Sequence, residues 1–205
     1  HPSTHSTVAQ GRTELVERAT PFDLSGQVYQ QSDKMQYMLK FEQNYPMSNL
    51  TTLQIGGPAR LFTTSRTQEE LIETINYAHQ NNIPYSVIGS GSNLLVADQG
   101  VNKLIIKNEV EGITRLVRFL KIKSGTSLQH LVDFSIAHNL SGLKKLTGIP
   151  GTVGGAVFGN AGAYGQTISD YIREVICFNP STEFTPSGVE GLKASGIVNL
   201  QKDEC

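Results

Sequence analysis

Apolar residues recur along this chain at two different periods. Leu61-Phe62-Thr63-Thr64 is a short run rich in aromatic and β-branched residues, and predicts a strand. A helical period follows. In TQEELIETINYAHQNN, residues 67–82, Leu71, Ile75 and Ala78 fall on one face, and Thr67 with Glu70 forms a capping box. Glu69 and Glu70 read as N-terminal helix charge, favoured by the helix dipole. Asn81-Asn82 predicts the helix end, and PYSVIG (84–89) predicts a buried strand entering a glycine loop. Leu94-Leu95-Val96 and Lys103-Leu104-Ile105-Ile106 read as the next two strands.

Beyond them the pattern weakens and returns. Thr114 to Lys123 alternates loosely through Leu116, Arg118 and Leu120, which predicts one or two strands before a turn at Ser124-Gly125. Ser127 caps LQHLVDFSIAHN, with Leu128, Leu131, Val132 and Ser135 on one face, and Gly142 is the expected stop. His79, His130 and His138 fall on polar helix faces and read as structural. Tyr171–Phe178 alternates Ile172, Glu174 and Ile176 against Arg173, Val175 and Cys177. Residues 179–205 carry turn signals at Asn179-Pro180 and Pro186-Ser187-Gly188, with an irregular stretch over 183–198. Residues 1–37 are polar and mixed, with one short helical pattern at 13–19. They read as an extension, with Met35 or Met38 as the start of the folded unit. The mixture of elements predicts an α+β fold.

Composition narrows the function classes. The chain has 205 residues, 38% hydrophobic and 17% charged, with a net charge of −1. That balance fits a globular domain rather than a disordered one. It carries no basic run of the kind nucleic acid selects. No apolar stretch is long enough for a membrane helix, and no signal peptide is evident. Cys177 and Cys205 make neither a disulfide framework nor a metal-ligand pattern, and Cys177, within VICF, reads as a small buried hydrophobe. The expected compartment is the cytoplasm.

The candidate chemistry lies in two loops. Residues 148–165 read GIPGTVGGAVFGNAGAYG, with seven glycines and no charged side chain. So many glycines argue against a helix, since each costs about 1 kcal/mol relative to alanine. They suit a backbone that approaches another surface closely and turns its N–H groups toward an anion. The second loop, Ile88-Gly89-Ser90-Gly91-Ser92-Asn93-Leu94, follows a predicted strand. No helix follows it and no P-loop lysine is present, so it matches neither phosphate-binding fingerprint. Its serines and asparagine could still assist successive N–H groups in cradling a pyrophosphate.

Four blocks in order carry a resemblance. They are Asn49–Leu53 with Ile55–Ala59; Ile88–Val96; Ser141–Leu143 with Gly148–Ala156; and Asn160–Gly165. Together they resemble the UDP-N-acetylenolpyruvoylglucosamine reductase family, also called UDP-N-acetylmuramate dehydrogenases, from about residue 39 to 205. The resemblance implies an FAD-binding domain of the vanillyl-alcohol oxidase type, with lobes at 38–107 and 108–205 and the substrate domain absent. It implies a cytoplasmic flavoprotein of peptidoglycan synthesis that takes hydride from NADPH and acts on a nucleotide-sugar. By motif position Ile88, Gly89, Ser90, Gly91, Ser92, Asn93 and Leu94 would hold the FAD pyrophosphate. Gly148, Ile149, Pro150, Gly151, Val153, Gly154, Gly155 and Ala156, with Asn160, Ala161 and Gly162, would line the dinucleotide and flavin ring. Arg60 would either pair locally or lie near the FAD phosphates, and Tyr164 would either pack on the glycine loop or touch substrate.

Two departures qualify this. Segment 107–126 is shorter and more basic than the family pattern, with Lys123-Ser124-Gly125-Thr126 where an alanine–glycine turn is usual. In the family, a segment like Lys202-Asp203-Glu204-Cys205 precedes a Tyr-Arg pair, and a proton-donating serine and a glutamate come later. The expectation is therefore a chain cut within a domain, with no catalytic residue of its own and inactive alone. The alternative is another FAD-dependent oxidase or dehydrogenase, or an inactive fragment.

Overall fold

The computed structural model describes residues 39–117 and 119–180, and the backbone of 196–198. The expectations at 1–37, at Arg118, at 186–188 and at 199–205 lie outside the described residues, as does most of the 183–198 stretch.

The first sheet has the order β1 (Glu42–Pro46), β2 (Pro58–Ser65), β4 (Val101–Asn108), β3 (Tyr85–Ile88). β1 is antiparallel to β2, whereas β2, β4 and β3 are mutually parallel. Between β2 and β3 runs α1 (Gln68–Gln80), capped by Thr67 and Glu70 as predicted. Alternation along the strands divides the core between the two faces. Leu61, Leu104 and Ile106 meet Ala78 and Ile83 on the side covered by α1. Phe62 and Ile105 meet Met47, Leu50 and Ile88 on the other.

The second sheet has the order β5 (Ile113–Arg115), β6 (Leu120–Ile122), β10 (Gly196–Val198), β9 (Ile172–Val175), all antiparallel. Two helices, α2 (Leu128–Ala137) and α3 (Val153–Phe158), contribute to its core of Leu120, Ile122, Leu128, Leu131, Val132, Leu143, Leu146, Val153 and Ala156. A small hairpin pairs β7 (Gly162–Ala163) with β8 (Gln166–Thr167). Its two-residue turn, Tyr164-Gly165, has positive φ at both positions, the requirement of a type I′ turn.

Four expectations need correction. Leu94–Val96 is not a strand. β3 and β4 are parallel, so residues 89–100 must return the length of the sheet and cannot form a hairpin. Leu94 and Val96 still pack on the Met47 cluster, which explains the alternation. The second glycine loop does contain a helix, α3, because tertiary packing outweighs glycine propensity there. Thr152 caps it by accepting the Gly155 N–H at 3.3 Å, and Val153 and Ala156 bury one face. Gly142 does not end α2. Its helix stops at Ala137, followed by His138 and then Asn139 at φ 54°, while Gly142 opens a 3₁₀ turn over Leu143–Leu146. Cys177 is exposed rather than buried, because Ile176 and Phe178 take the inward positions on either side of it.

Candidate functional site

The two sheets meet along segments 107–112 and 123–126. Asn108, at the end of β4, donates from Nδ2 to Ser124 Oγ at 2.8 Å and accepts the Val110 N–H on Oδ1 at 3.0 Å. The Gly125 N–H reaches the Val110 carbonyl at 2.9 Å, and the buried Thr126 hydroxyl bonds both backbone groups of Gly112. The Lys123–Thr126 departure is therefore a seam between sheets. Its turn stays tight because a side chain on Gly125 would strike the Val110 N–H, 2.5 Å from an ideal Cβ.

Above this seam lies a cleft of about 780 Å³, lined by the strand ends of the first sheet, by Gly125 and Ser127, by the Asn49–Thr52 block and by both glycine loops. It sits where three parallel strands end. Ser65 leads into Arg66, Ile88 into Gly89, and Asn108 into Glu109. The carboxyl ends of parallel strands are the usual ligand edge of an open sheet, because the connecting loops diverge there.

The two loops are in direct contact. Ser92 Oγ donates to the Pro150 carbonyl at 3.1 Å. A Cβ on Gly89 would collide with the Thr152 hydroxyl, and one on Gly151 would lie 3.2 Å from Ser92 Oγ. Gly91 takes φ +71°, and its carbonyl accepts the Thr52 N–H at 3.2 Å, which seats the first loop on the Asn49–Thr52 block. Among the described residues, the N–H groups of Ser90, Gly91, Ser92 and Asn93 find no acceptor. Ser90 and Asn93 are exposed and Ser92 is half-buried, so this run of N–H groups stands open to an anionic ligand at the edge of the cleft.

Charge gathers at the strand ends. Glu109 binds Lys107 Nζ through Oε1 at 2.7 Å and Arg66 Nε through Oε2 at 3.3 Å. Glu111 also lines the cleft, so its formal side-chain charges balance.

Of the candidates at the first loop, Gly89, Ser90 and Ser92 line the cleft. Gly91 is buried beneath them, Asn93 is exposed beside them, and Ile88 and Leu94 pack into the core below. At the second loop Pro150 and Gly151 line it. Gly148 is exposed and gives its N–H to Gln129 Oε1 at 2.9 Å, and Ile149 packs on the second core. Val153 and Ala156 belong to that core. Gly154 faces Ser124, where an added Cβ would lie 2.9 Å from the serine Cβ and carbonyl oxygen, so its small size serves the seam. Gly155 is exposed on the first turn of α3.

Asn160, Ala161 and Gly162 are not brought to this cleft. Asn160 accepts the Ser169 N–H at 3.3 Å, Ala161 packs on the second core, and Gly162 is in the small hairpin. Arg60 pairs at 3.5 Å with Asn102, near the amino ends of β2 and β4 and away from the cleft. Tyr164 is exposed at the hairpin turn. Residue-type reasoning missed Arg66, Lys107, Asn108, Glu109 and Glu111 as lining residues, together with Thr152. The signal available for the first five was their place just at or after the ends of predicted strands.

Residues 59–184 match the model of the family described as FAD binding domain. The chain belongs to the FAD-binding domain family. A UDP-N-acetylenolpyruvoylglucosamine reductase of Clostridium botulinum (strain Eklund 17B / Type B) is 40% identical over 136 residues, covering 66% of this chain and 45% of the relative. The crystal structure of UDP-N-acetylenolpyruvylglucosamine reductase (MurB) from Thermus caldophilus superposes with a TM-score of 0.60 at 32% identity, over 79% of this chain and 62% of that one. Cholesterol oxidase from Brevibacterium sterolicum shares the fold alone, at 15% identity and TM-score 0.53 over 79% of this chain and 37% of that one. The resemblance read from the four blocks is thus borne out, as is the α+β, vanillyl-alcohol-oxidase-type fold. The chain spans about half the length of the curated relatives it matches.

The cleft's donor set fits the cofactor of an FAD-binding domain. Free N–H groups and the Ser90 hydroxyl suit a diphosphate, with Lys107 and Arg66, paired to Glu109, offsetting the carboxylate beside it. The volume falls within the roughly 300–1,000 Å³ of small-molecule sites.

Proposed function

We propose that this chain holds FAD in the cleft between its two glycine loops, as the flavin-binding part of a reductase. The observation that carries the reading is the direct contact of the loops through Ser92 and Pro150, beside free N–H groups at the ends of parallel strands. In this reading residues 38–107 and 108–205 form the two lobes, with 1–37 as an extension. The change of sheet after Asn108 supports that division.

The protein's own part is binding and orientation. The Ser90–Asn93 N–H groups bind the pyrophosphate, and the Ser92 hydroxyl stays committed to Pro150, fixing the spacing of the loops. Absence of side chains at Gly89 and Gly151 lets the loops close on one another. Lys107 and Arg66 balance charge at the strand ends. Bound FAD supplies hydride transfer. The names of the relatives extend the proposal to an enolpyruvyl nucleotide-sugar as the compound reduced, and the resemblance of the four blocks adds NADPH as reductant and a place in cytoplasmic peptidoglycan synthesis. The test is NADPH oxidation by the complete gene product, loaded with FAD. Oxidation coupled to disappearance of the enolpyruvyl nucleotide-sugar is expected. NADPH oxidation that leaves this compound unreduced would contradict the assignment.

A further inference from the structure

Glu109 stands at a position with a specific geometric meaning. β3 and β4 are adjacent and parallel, with Ile88 opposite Lys107 in register. The first glycine loop leaves the carboxyl end of β3, and Glu109 follows immediately at the carboxyl end of β4, 20 residues after Gly89. In dinucleotide-binding α/β folds a carboxylate at the end of the strand beside the glycine loop accepts the ribose hydroxyls, at about this sequence distance. The connection here has no helix, so this is not that fold. The adjacency of loop and acid is the same, and both line one cleft.

We infer that Glu109 is the ribose-recognising residue of this cleft, its carboxylate accepting hydrogen bonds from the vicinal hydroxyls of an adenosine diphosphate moiety. The inference rests on the FAD reading above and adds a residue and a ligand group to it. Three features favour Glu109. Its backbone is fixed, since its N–H reaches the Ser65 carbonyl at 2.8 Å. Its carboxylate is held from both sides, by Lys107 at 2.7 Å and Arg66 at 3.3 Å. Each carboxylate oxygen has two acceptor sites, so one ion pair per oxygen leaves capacity for a hydroxyl on each. Glu111 lines the same cleft but is exposed, and among the described residues no ion pair orients it.

The experiment compares FAD, ADP and 2′-deoxy-ADP binding by the 205-residue chain and by Glu109→Gln and Glu111→Gln. Glutamine keeps the shape of glutamate but removes its charge. The informative quantity is the ratio of ADP to 2′-deoxy-ADP affinity within each protein, because a general loss of stability cancels from it. The wild type is expected to prefer ADP by about tenfold, the scale of a hydrogen bond to a charged group. Glu109→Gln, whose neutral amide oxygen accepts only a weaker hydrogen bond, should lower the ratio severalfold, and Glu111→Gln should leave it unchanged. Equal affinity for the two nucleotides in a wild type that binds FAD would overturn the role of Glu109 while sparing the FAD reading. So would a ratio abolished by Glu111→Gln and kept by Glu109→Gln. A wild type that takes up neither FAD nor ADP would overturn both.

Discussion

Ser92 Oγ donates a hydrogen bond to the Pro150 carbonyl across 3.1 Å, joining loops 58 positions apart in the chain. Ser92→Ala removes only that bond and leaves the packing of Gly89 on Thr152 in place. The expected result is a roughly three- to tenfold weaker FAD affinity, the scale of one neutral hydrogen bond. The melting temperature of the flavin-free protein should change little. Titration by flavin fluorescence, alongside a thermal melt, separates the two effects.

Gly89 and Thr152 form a second link that can be tested as a pair. Gly89→Ala drives a methyl into the Thr152 hydroxyl and should destabilise the fold by about 1–3 kcal/mol. Thr152→Ala removes the α3 cap and should cost about 1 kcal/mol. The double variant should be more stable than the sum of the single losses, by at least about 0.5 kcal/mol. Denaturant unfolding of all four proteins gives the coupling, and strict additivity would show that the side chains do not meet.

Neighbouring glycines of α3 should respond with opposite signs. Gly154→Ala presses on Ser124 and should lower stability by about 1–3 kcal/mol without any flavin present. At Gly155 an added Cβ meets only the Thr152 hydroxyl, at an ordinary 3.4 Å. Gly155→Ala should therefore raise stability by about 0.5–1 kcal/mol through helix propensity. Unfolding curves of the flavin-free variants decide this.

Tyr77 carries a pH signature. Burial raises its pKa above the ordinary phenol value, and its hydroxyl finds no partner among the described residues. The folded state thus favours the neutral phenol. Its contribution is fully present below the unfolded phenol pKa, about 10, and is lost as pH rises through the higher folded value. Tyr77→Phe should unfold with equal or up to about 1 kcal/mol greater stability at neutral pH. It should also lose less stability than the wild type between pH 9 and pH 11, roughly the range spanning that pKa. Parallel alkaline losses in the two proteins would exclude Tyr77 as a source.

Much of the local structure was legible in the sequence. The Thr67–Glu70 capping box, the Ser127 cap and the face of Leu128, Leu131 and Val132 follow from local rules, and the structure contains them. Both loops were found by their glycines. What local rules missed depends on contacts distant in sequence. Gly154 and Gly155 reduce helix propensity, yet α3 forms because Ser124 requires a small neighbour at Gly154 and the core takes up Val153 and Ala156. Leu94 and Val96 alternate like a strand, but the parallel order of β3 and β4 leaves them only packing. The charged lining residues were missed for a related reason. Arg66, Lys107 and Glu109 are far apart in sequence or two positions apart, and only the pairing of β2 with β4 brings them together.

The central claim is that this chain folds its two glycine loops into an FAD site. The most direct measurement is titration of the purified 205-residue chain with FAD, followed by flavin fluorescence, with riboflavin as a comparison lacking the pyrophosphate and adenosine. The account predicts saturable binding of FAD, much weaker binding of riboflavin, and a melting temperature that rises with FAD concentration. A folded chain with no saturable FAD binding, or one that binds riboflavin as tightly as FAD, would contradict it.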